Sequence, residues 1–194
     1  MSSATLTQPR VETSRGVRSL SWAPPALAIF LLVIQISPYW YPTPDSTGYL
    51  SIARNLAHDH ALRNLGSEQL YYSVGYPLLI SPIFLITDDP FLLISLVHFG
   101  LSLLLIWGIW LWACDRVPQA ATWIAVLSVA NLSYWEAYRR TLSEVAFMTV
   151  LVWLVVILDR VRTAAISGRR WLSPAISASL LLLFLALIRP AGIL

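Results

Sequence analysis

Apolar residues in this chain fall into long, nearly unbroken runs, separated by polar links that carry proline and arginine, with little alternation between the two kinds of position. Runs of this kind describe helices surrounded by apolar material on all sides. The first, residues 22–41, has aromatic residues at both ends. Its centre, residues 26–36, has the length of a signal-peptide core, but Ser37-Pro38-Tyr39-Trp40-Tyr41 follows where a small-x-small cleavage site would stand, so an uncleaved first span is predicted. Residues 90–112 predict a full-length span, led by Asp88 and Asp89 where a helix dipole favours anions and closed by Trp107, Trp110 and Trp112. Residues 120–135, 142–158 and 172–188 predict three more spans, all short enough to require little tilt or a thinned bilayer.

Two stretches break this rhythm. Within residues 38–75, Tyr49, Ile52, Ala53, Leu56 and Ala57 recur at helical spacing while Ser51, Arg54, Asn55 and His58 fall opposite, which predicts a helix lying flat in a membrane interface. Residues 75–87 are apolar but too short to cross and carry Pro77 and Pro82. Arginine placement decides whether they count as a crossing. With a non-crossing 75–87, one side holds eight arginines (10, 15, 18, 116, 160, 162, 169, 170) and the other five (54, 63, 139, 140, 189). The positive-inside rule then puts the first set in the cytoplasm; a crossing would turn Arg116 and the 160–170 cluster outward. The expected fold is therefore all-α, a polytopic membrane bundle of five transmembrane helices plus an extracytoplasmic interfacial helix. Residues 1–21 form a disordered cytoplasmic tail and residues 22–194 the membrane region, with no internal repeat.

Composition agrees, with 57% apolar and only 12% charged residues and a mean hydropathy of +0.68. At about 20 residues per crossing, 194 residues leave no room for a separate soluble domain. All 13 basic residues are arginine, which excludes lysine nucleophiles, Schiff bases and P-loops. A net charge of +3 invites a nucleic-acid reading, yet the arginines are spread among the loops, so no nucleic-acid partner is expected. Cys114, the sole cysteine, cannot form an intrachain disulfide and reads as a small buried residue.

The outer face receives Asp45, Glu68, the loop from residue 136 to 144, and Arg189. Asp45 and Glu144 thus meet one face beside Arg139, Arg140 and Arg189, a combination suited to an anionic substrate, with arginine as a forked phosphate donor. Blander roles compete. Asp45 can N-cap the interfacial helix, although Gly48 stands where the Glu or Gln of a capping box would be. Glu144 can pair with Arg140 at i, i+4. His58-Asp59-His60 resembles a metal clip, but alternate residues on a helix point apart, and no metal site is assigned. His98 inside a span is expected to hydrogen-bond another helix, and Asn131-Leu132-Ser133 matches a glycosylation acceptor at a span end, out of a transferase's easy reach.

Taken in order, Pro42-x-Pro44-Asp45-x-x-x-Tyr49-x-x-Ile52-Ala53-x-x-Leu56, Gly75-Tyr76-Pro77-Leu78-Leu79, Leu142-Ser143-Glu144 opening a span, and Ile188-Arg189-Pro190-x-Gly192 resemble the N-terminal portion of the GT-C glycosyltransferases. The likeness is nearest to glycosyltransferase family 39 and its relatives, the protein O-mannosyltransferases and lipid A aminoarabinose transferases. It implies inverting transfer of a sugar from a polyprenyl-phosphate carrier to an acceptor protein or glycolipid at the extracytoplasmic face of a bacterial inner membrane, with the N-terminus cytoplasmic. Asp45 matches the family's catalytic base and Glu144 its second acidic position. Tyr49, Glu68, Tyr76, Arg139, Arg140 and Arg189 are the expected substrate-binding residues. No cofactor is required by the residues, and a divalent metal is compatible with the reaction. Ser46 stands where relatives often carry a second acid, and the Lys-Pro-Pro common near Tyr76 lacks its lysine. Such enzymes continue through further spans, so the expectation is an incomplete enzyme, inactive alone. The alternative is a non-catalytic membrane scaffold or accessory subunit.

Overall fold

The computed structural model describes residues 23–65, 67–68, 72–168 and 171–189, without the side chains of Ser67 and Glu68. The expected tail, residues 1–21, lies outside them, as do Arg169, Arg170 and the Pro190-x-Gly192 part of the last motif. The described residues are mostly helical. Eight α-helices run in order α1 (Ala23–Val33), α2 (Pro44–Asp59), α3 (Gly75–Ile80), α4 (Phe91–Cys114), α5 (Ala121–Val129), α6 (Leu132–Arg139), α7 (Glu144–Ile166) and α8 (Leu172–Ile188). A 3-10 turn, Ser81–Leu85, follows α3, and β1 (Arg63–Asn64) pairs antiparallel with β2 (Ser67–Glu68).

One helix, α4, is long and apolar enough to cross a membrane; α6 and α7 meet the same criteria only as a pair, and they are bent by 119°. The other apolar helices, α1, the Gly75–Leu85 segment and α8, are shorter. Two expected spans are altered. The first shrinks from residues 22–41 to α1, after which Trp40 stacks on Phe91 at 5.3 Å. The run 120–135 breaks after α5, because the Asn131 side chain accepts the Tyr134 N–H at 2.9 Å and donates to the Ser128 carbonyl at 2.8 Å. That amide caps α6 and satisfies a carbonyl at the end of α5, so the apolar run turns a corner with its backbone bonded. The role of Asn131 is thus a helix cap.

The stripe on α2 is buried by protein. Tyr49, Ile52, Ala53 and Ala57 are all covered, and Tyr49, Ala53 and Ala57 share a core with Tyr76, Ile80, Ile83 and Phe84. The expectation of a helix resting this face on lipid is corrected: α3 and the 3-10 turn fill the place that lipid was given, so 75–87 serves as packing for α2.

The long helices alternate in direction. The C-terminal ends of α1 and α8, the N-terminal ends of α4 and α7, and all of α2, α3 and α6 share one end, joined by contacts such as Ser37 N–H to Ser95 Oγ (3.2 Å) and the Ser73 hydroxyl to the Ile188 carbonyl. At the opposite end Arg116, after α4, pairs with Asp159 of α7 at 3.0 Å. Close approach depends on glycine at three described places, the first being Gly48, whose Cβ would stand 2.5 Å from the Tyr72 ring. A Cβ on Gly75 would stand 2.6 Å from the Leu187 backbone, and one on Gly108 would stand 2.8 Å from Val152 Cγ1.

Gly75→Ala should destabilise the fold by about 1–3 kcal/mol, because backbone cannot yield as a side-chain tip does. Gly100 has nothing within 4 Å of its Cβ position, and Gly100→Ala in α4 should stabilise by roughly 0.5–1 kcal/mol. Unfolding curves of the two purified variants in one detergent check both signs.

Candidate functional site

The N-terminus of α2 frees Asp45. Thr43 is the N-cap: its Oγ1 accepts the Ser46 N–H at 3.1 Å, while Ser46 Oγ accepts the Thr43 N–H at 2.9 Å. Pro44 takes the first helical position, where its missing N–H costs nothing. A complete capping box therefore exists, built from Thr43 and Ser46, two residues earlier than a cap at Asp45 would need. Asp45 lies in the first turn, exposed, and its side chain has no hydrogen bond or ion pair among the described residues.

A ring of contacts ties this turn to Glu144 and Arg189. One turn along α2, about 5.4 Å, the Tyr49 hydroxyl lies 3.4 Å from Ser143 Oγ, the residue before Glu144. Glu144 opens α7, and its Oε1 sits 3.6 Å from Arg189 Nη1. Arg189 follows α8 with extended backbone (φ −151°, ψ 124°). Its neighbour Ile188 accepts the Ser73 hydroxyl, while the Tyr72 hydroxyl donates to the Pro44 carbonyl at 3.3 Å and so returns to the Asp45 turn. Glu144 is not paired with Arg140, as its spacing suggested. Helix α6 ends before Arg140, Thr141 turns the chain with φ +54°, and Arg140 pairs back to Glu136 at 3.5 Å. Glu144 Oε2 is buried with no hydrogen-bond donor among the described residues.

Beneath the ring lies a buried polar web. The His98 Nδ1 is 3.1 Å from the Tyr138 carbonyl, which only accepts, so Nδ1 carries the proton and Nε2 accepts from the Tyr76 hydroxyl at 2.8 Å. His98 thus bonds partners outside its own helix, as expected. Burial foremost, then the charges of Tyr49 and Glu144, raise the Tyr76 phenol well above its usual range and keep it a donor. Tyr49 and Tyr76 meet edge to face at 5.4 Å. The Tyr138 hydroxyl donates to the Ser95 carbonyl at 2.7 Å, and Ser102 Oγ is paired with both the His98 carbonyl and the Tyr134 hydroxyl.

The structure brings together Tyr49, Tyr76, Glu144 and Arg189, with Asp45 one turn away. Arg139 stands apart, its guanidinium 5.2 Å from the Tyr41 ring centroid, and Arg140 is engaged by Glu136. The Glu68 side chain lies outside the described residues. Among the described residues, no three His, Cys, Asp or Glu side chains converge as a metal site would require. Ser143, Tyr72 and Ser73 complete the ring without a sequence signal. Thr43 and Ser46 did have one, the three-residue spacing of a capping box in which serine replaces the usual acid. Against this chain, known protein families, curated proteins and solved structures yield no match.

Removing the imidazole tests the web. His98→Leu strands the Tyr76 hydroxyl and the Tyr138 carbonyl, at roughly 1–3 kcal/mol each. Combined with Tyr76→Phe, it should cost less than the sum of the single changes, by at least about 0.5 kcal/mol. Additive losses in unfolding titrations would show that the two rings do not act as a bonded pair.

Proposed function

We propose that this chain is a membrane-embedded part of a glycosyltransferase of the GT-C type, moving a sugar from a polyprenyl-phosphate donor to an acceptor hydroxyl at the extracytoplasmic face. The observation that carries this reading is the ring itself: an unpartnered carboxylate at a helix N-terminus, beside a carboxylate–guanidinium pair, at one end of an apolar helical assembly. In this reading Asp45 takes the acceptor's proton as its oxygen attacks the anomeric carbon from the face opposite the leaving phosphate. Arg189 receives the departing phosphate. One of its nitrogens faces Glu144 and the side chain is 46% exposed, so other donors of the fork are free for a phosphate oxygen. Glu144 holds that fork in place. In this reading arginine supplies the positive charge.

Surface character supports the membrane setting. Of the 17 residues of α8, only Ala178, Leu185 and Ile188 are buried, while Ile176, Leu180, Leu182 and Leu183 are each more than half exposed. Phe30 and Ile34 on and after α1 and Leu127 on α5 are exposed likewise. Apolar faces of this extent need an apolar environment. The alternating helix directions, with Arg116, Arg160 and Arg162 at the end opposite Asp45, support the five-pass topology with the N-terminus in the cytoplasm.

Topology has its own check. In a Cys114→Ser background, a cysteine at Ser67 should react with an impermeant thiol reagent on intact cells and one at Ser167 should not. The reverse pattern defeats the assignment of sides.

Asp45→Asn should abolish transfer from a polyprenyl-phosphate sugar, by about 10²-fold or more if a general base is lost, while leaving abundance and membrane insertion near normal because Thr43 caps α2. Arg189→Lys should weaken donor binding more than folding, since it keeps the charge and loses the fork. Both are assayed in vesicles with the full protein or complex that contains this chain. Near wild-type turnover by Asp45→Asn refutes the catalytic role and favours an accessory subunit.

A further inference from the structure

Away from the ring, a small cavity opens beneath the end of α1. Its volume is about 20 Å³, and its lining includes Gln35, Ser37, Ser95, His98, Tyr138 and Arg139. One wall is unsatisfied. Gln35 is 4% exposed, its Nε2 donates to the Leu31 carbonyl at 3.2 Å, and its Oε1 has no donor among the described residues. The amide orientation is decided by chemistry, since the Leu31 carbonyl can only accept and must face the NH₂ group. Nearby hydroxyls do not reach it: Tyr138 donates to the Ser95 carbonyl, and Ser37 Oγ and Ser95 Oγ accept from the backbone N–H groups of Tyr39 and Ser37 without donating to Gln35 Oε1.

We propose that this cavity is a binding site for a single water molecule that donates to Gln35 Oε1. The volume exceeds the ~10–15 Å³ of probe space that one water occupies and is too small for a larger polar ligand. A water also matches the walls chemically. It can give one proton to Gln35 Oε1 and another to a serine oxygen, while its lone pairs accept from the Arg139 guanidinium or the Thr141 hydroxyl. The site joins residues from three separate elements, the turn after α1, the first turns of α4, and the end of α6. Bound there, the water acts as a positioning group for the segment that carries Arg139. This inference does not depend on sugar transfer.

Radiolytic hydroxyl labelling of the whole chain in detergent, with ¹⁸O-enriched water as the probe, tests it, because a bound water oxidises side chains that bulk solvent cannot reach. Tyr138 and Tyr76 are 3% and 0% exposed, and only Tyr138 lines the cavity. The same contrast holds for Ile94, which lines it, and Ile52, which does not, at 1% and 0%. Tyr138 and Ile94 should be labelled severalfold faster than Tyr76 and Ile52, and Gln35→Leu should remove the difference while helicity is retained. Gln35→Met, unbranched and closer in shape, serves if the leucine variant does not fold. Equal labelling within each pair in the unaltered protein, or faster labelling of Tyr138 and Ile94 that persists in a folded Gln35 variant, overturns the proposal.

Discussion

The two hydrogen bonds made by the His98 ring tie together the end of the molecule that carries the candidate site. Hydrophobic burial brings α3 and α6 onto α4 without prescribing their register, because apolar contact has no direction. Helix α3 has six residues and α6 eight, too few to hold a geometry by helical bonding alone. The imidazole supplies direction: Nε2 receives the Tyr76 hydroxyl and Nδ1–H reaches the Tyr138 carbonyl. Both short elements are thereby referred to the longest helix, and the proton on Nδ1 is assigned by the carbonyl it faces. Both partners are buried, so losing either bond leaves a polar group unsatisfied, and the arrangement is strongly specified.

From that fixed point the candidate site follows by contact. Tyr76 touches Tyr49, Tyr49 reaches Ser143, and Gly75 admits the last turn of α8 closely enough to bring Arg189 beside Glu144. The Glu144–Arg189 pair itself contributes little stability, with side chains 35% and 46% exposed and a single separation of 3.6 Å. Its value lies in geometry. Capping by Thr43 and Ser46 has a parallel effect on Asp45, because the backbone N–H groups that would otherwise recruit the carboxylate are already served.

Much of this chain was legible as sequence because membrane-like helices and amphipathic helices announce themselves by composition and period alone. The existence of α2, α4, α7 and α8, and the short, proline-broken character of residues 75–87, follow from runs of apolar residues, from 3.6-residue spacing and from proline, all local properties. Among the described residues, Arg116, Arg160 and Arg162 stand at the opposite end of the long helices from Arg139, Arg140 and Arg189. Asp45, Glu144 and Arg189 could be picked out for the same reason, being charges at the margins of apolar runs.

Partnership was decided only by the tertiary structure. Spacing along the chain offered Glu144 to Arg140, but Thr141 turns the backbone and hands Glu144 to a residue 45 positions away, while Arg140 turns back to Glu136. The apolar face of α2 was evident from its period, yet a period says nothing about whether lipid or protein covers it; the covering comes from α3 and the 3-10 turn. Likewise the break at Asn131 depends on one side chain bonding to both flanking segments, a choice that the apolar run around it does not encode. Local pattern determines which segments are helical and which faces are apolar, because those depend on neighbours along the chain. Which charges meet depends on residues far apart in sequence, and only folding brings them within reach.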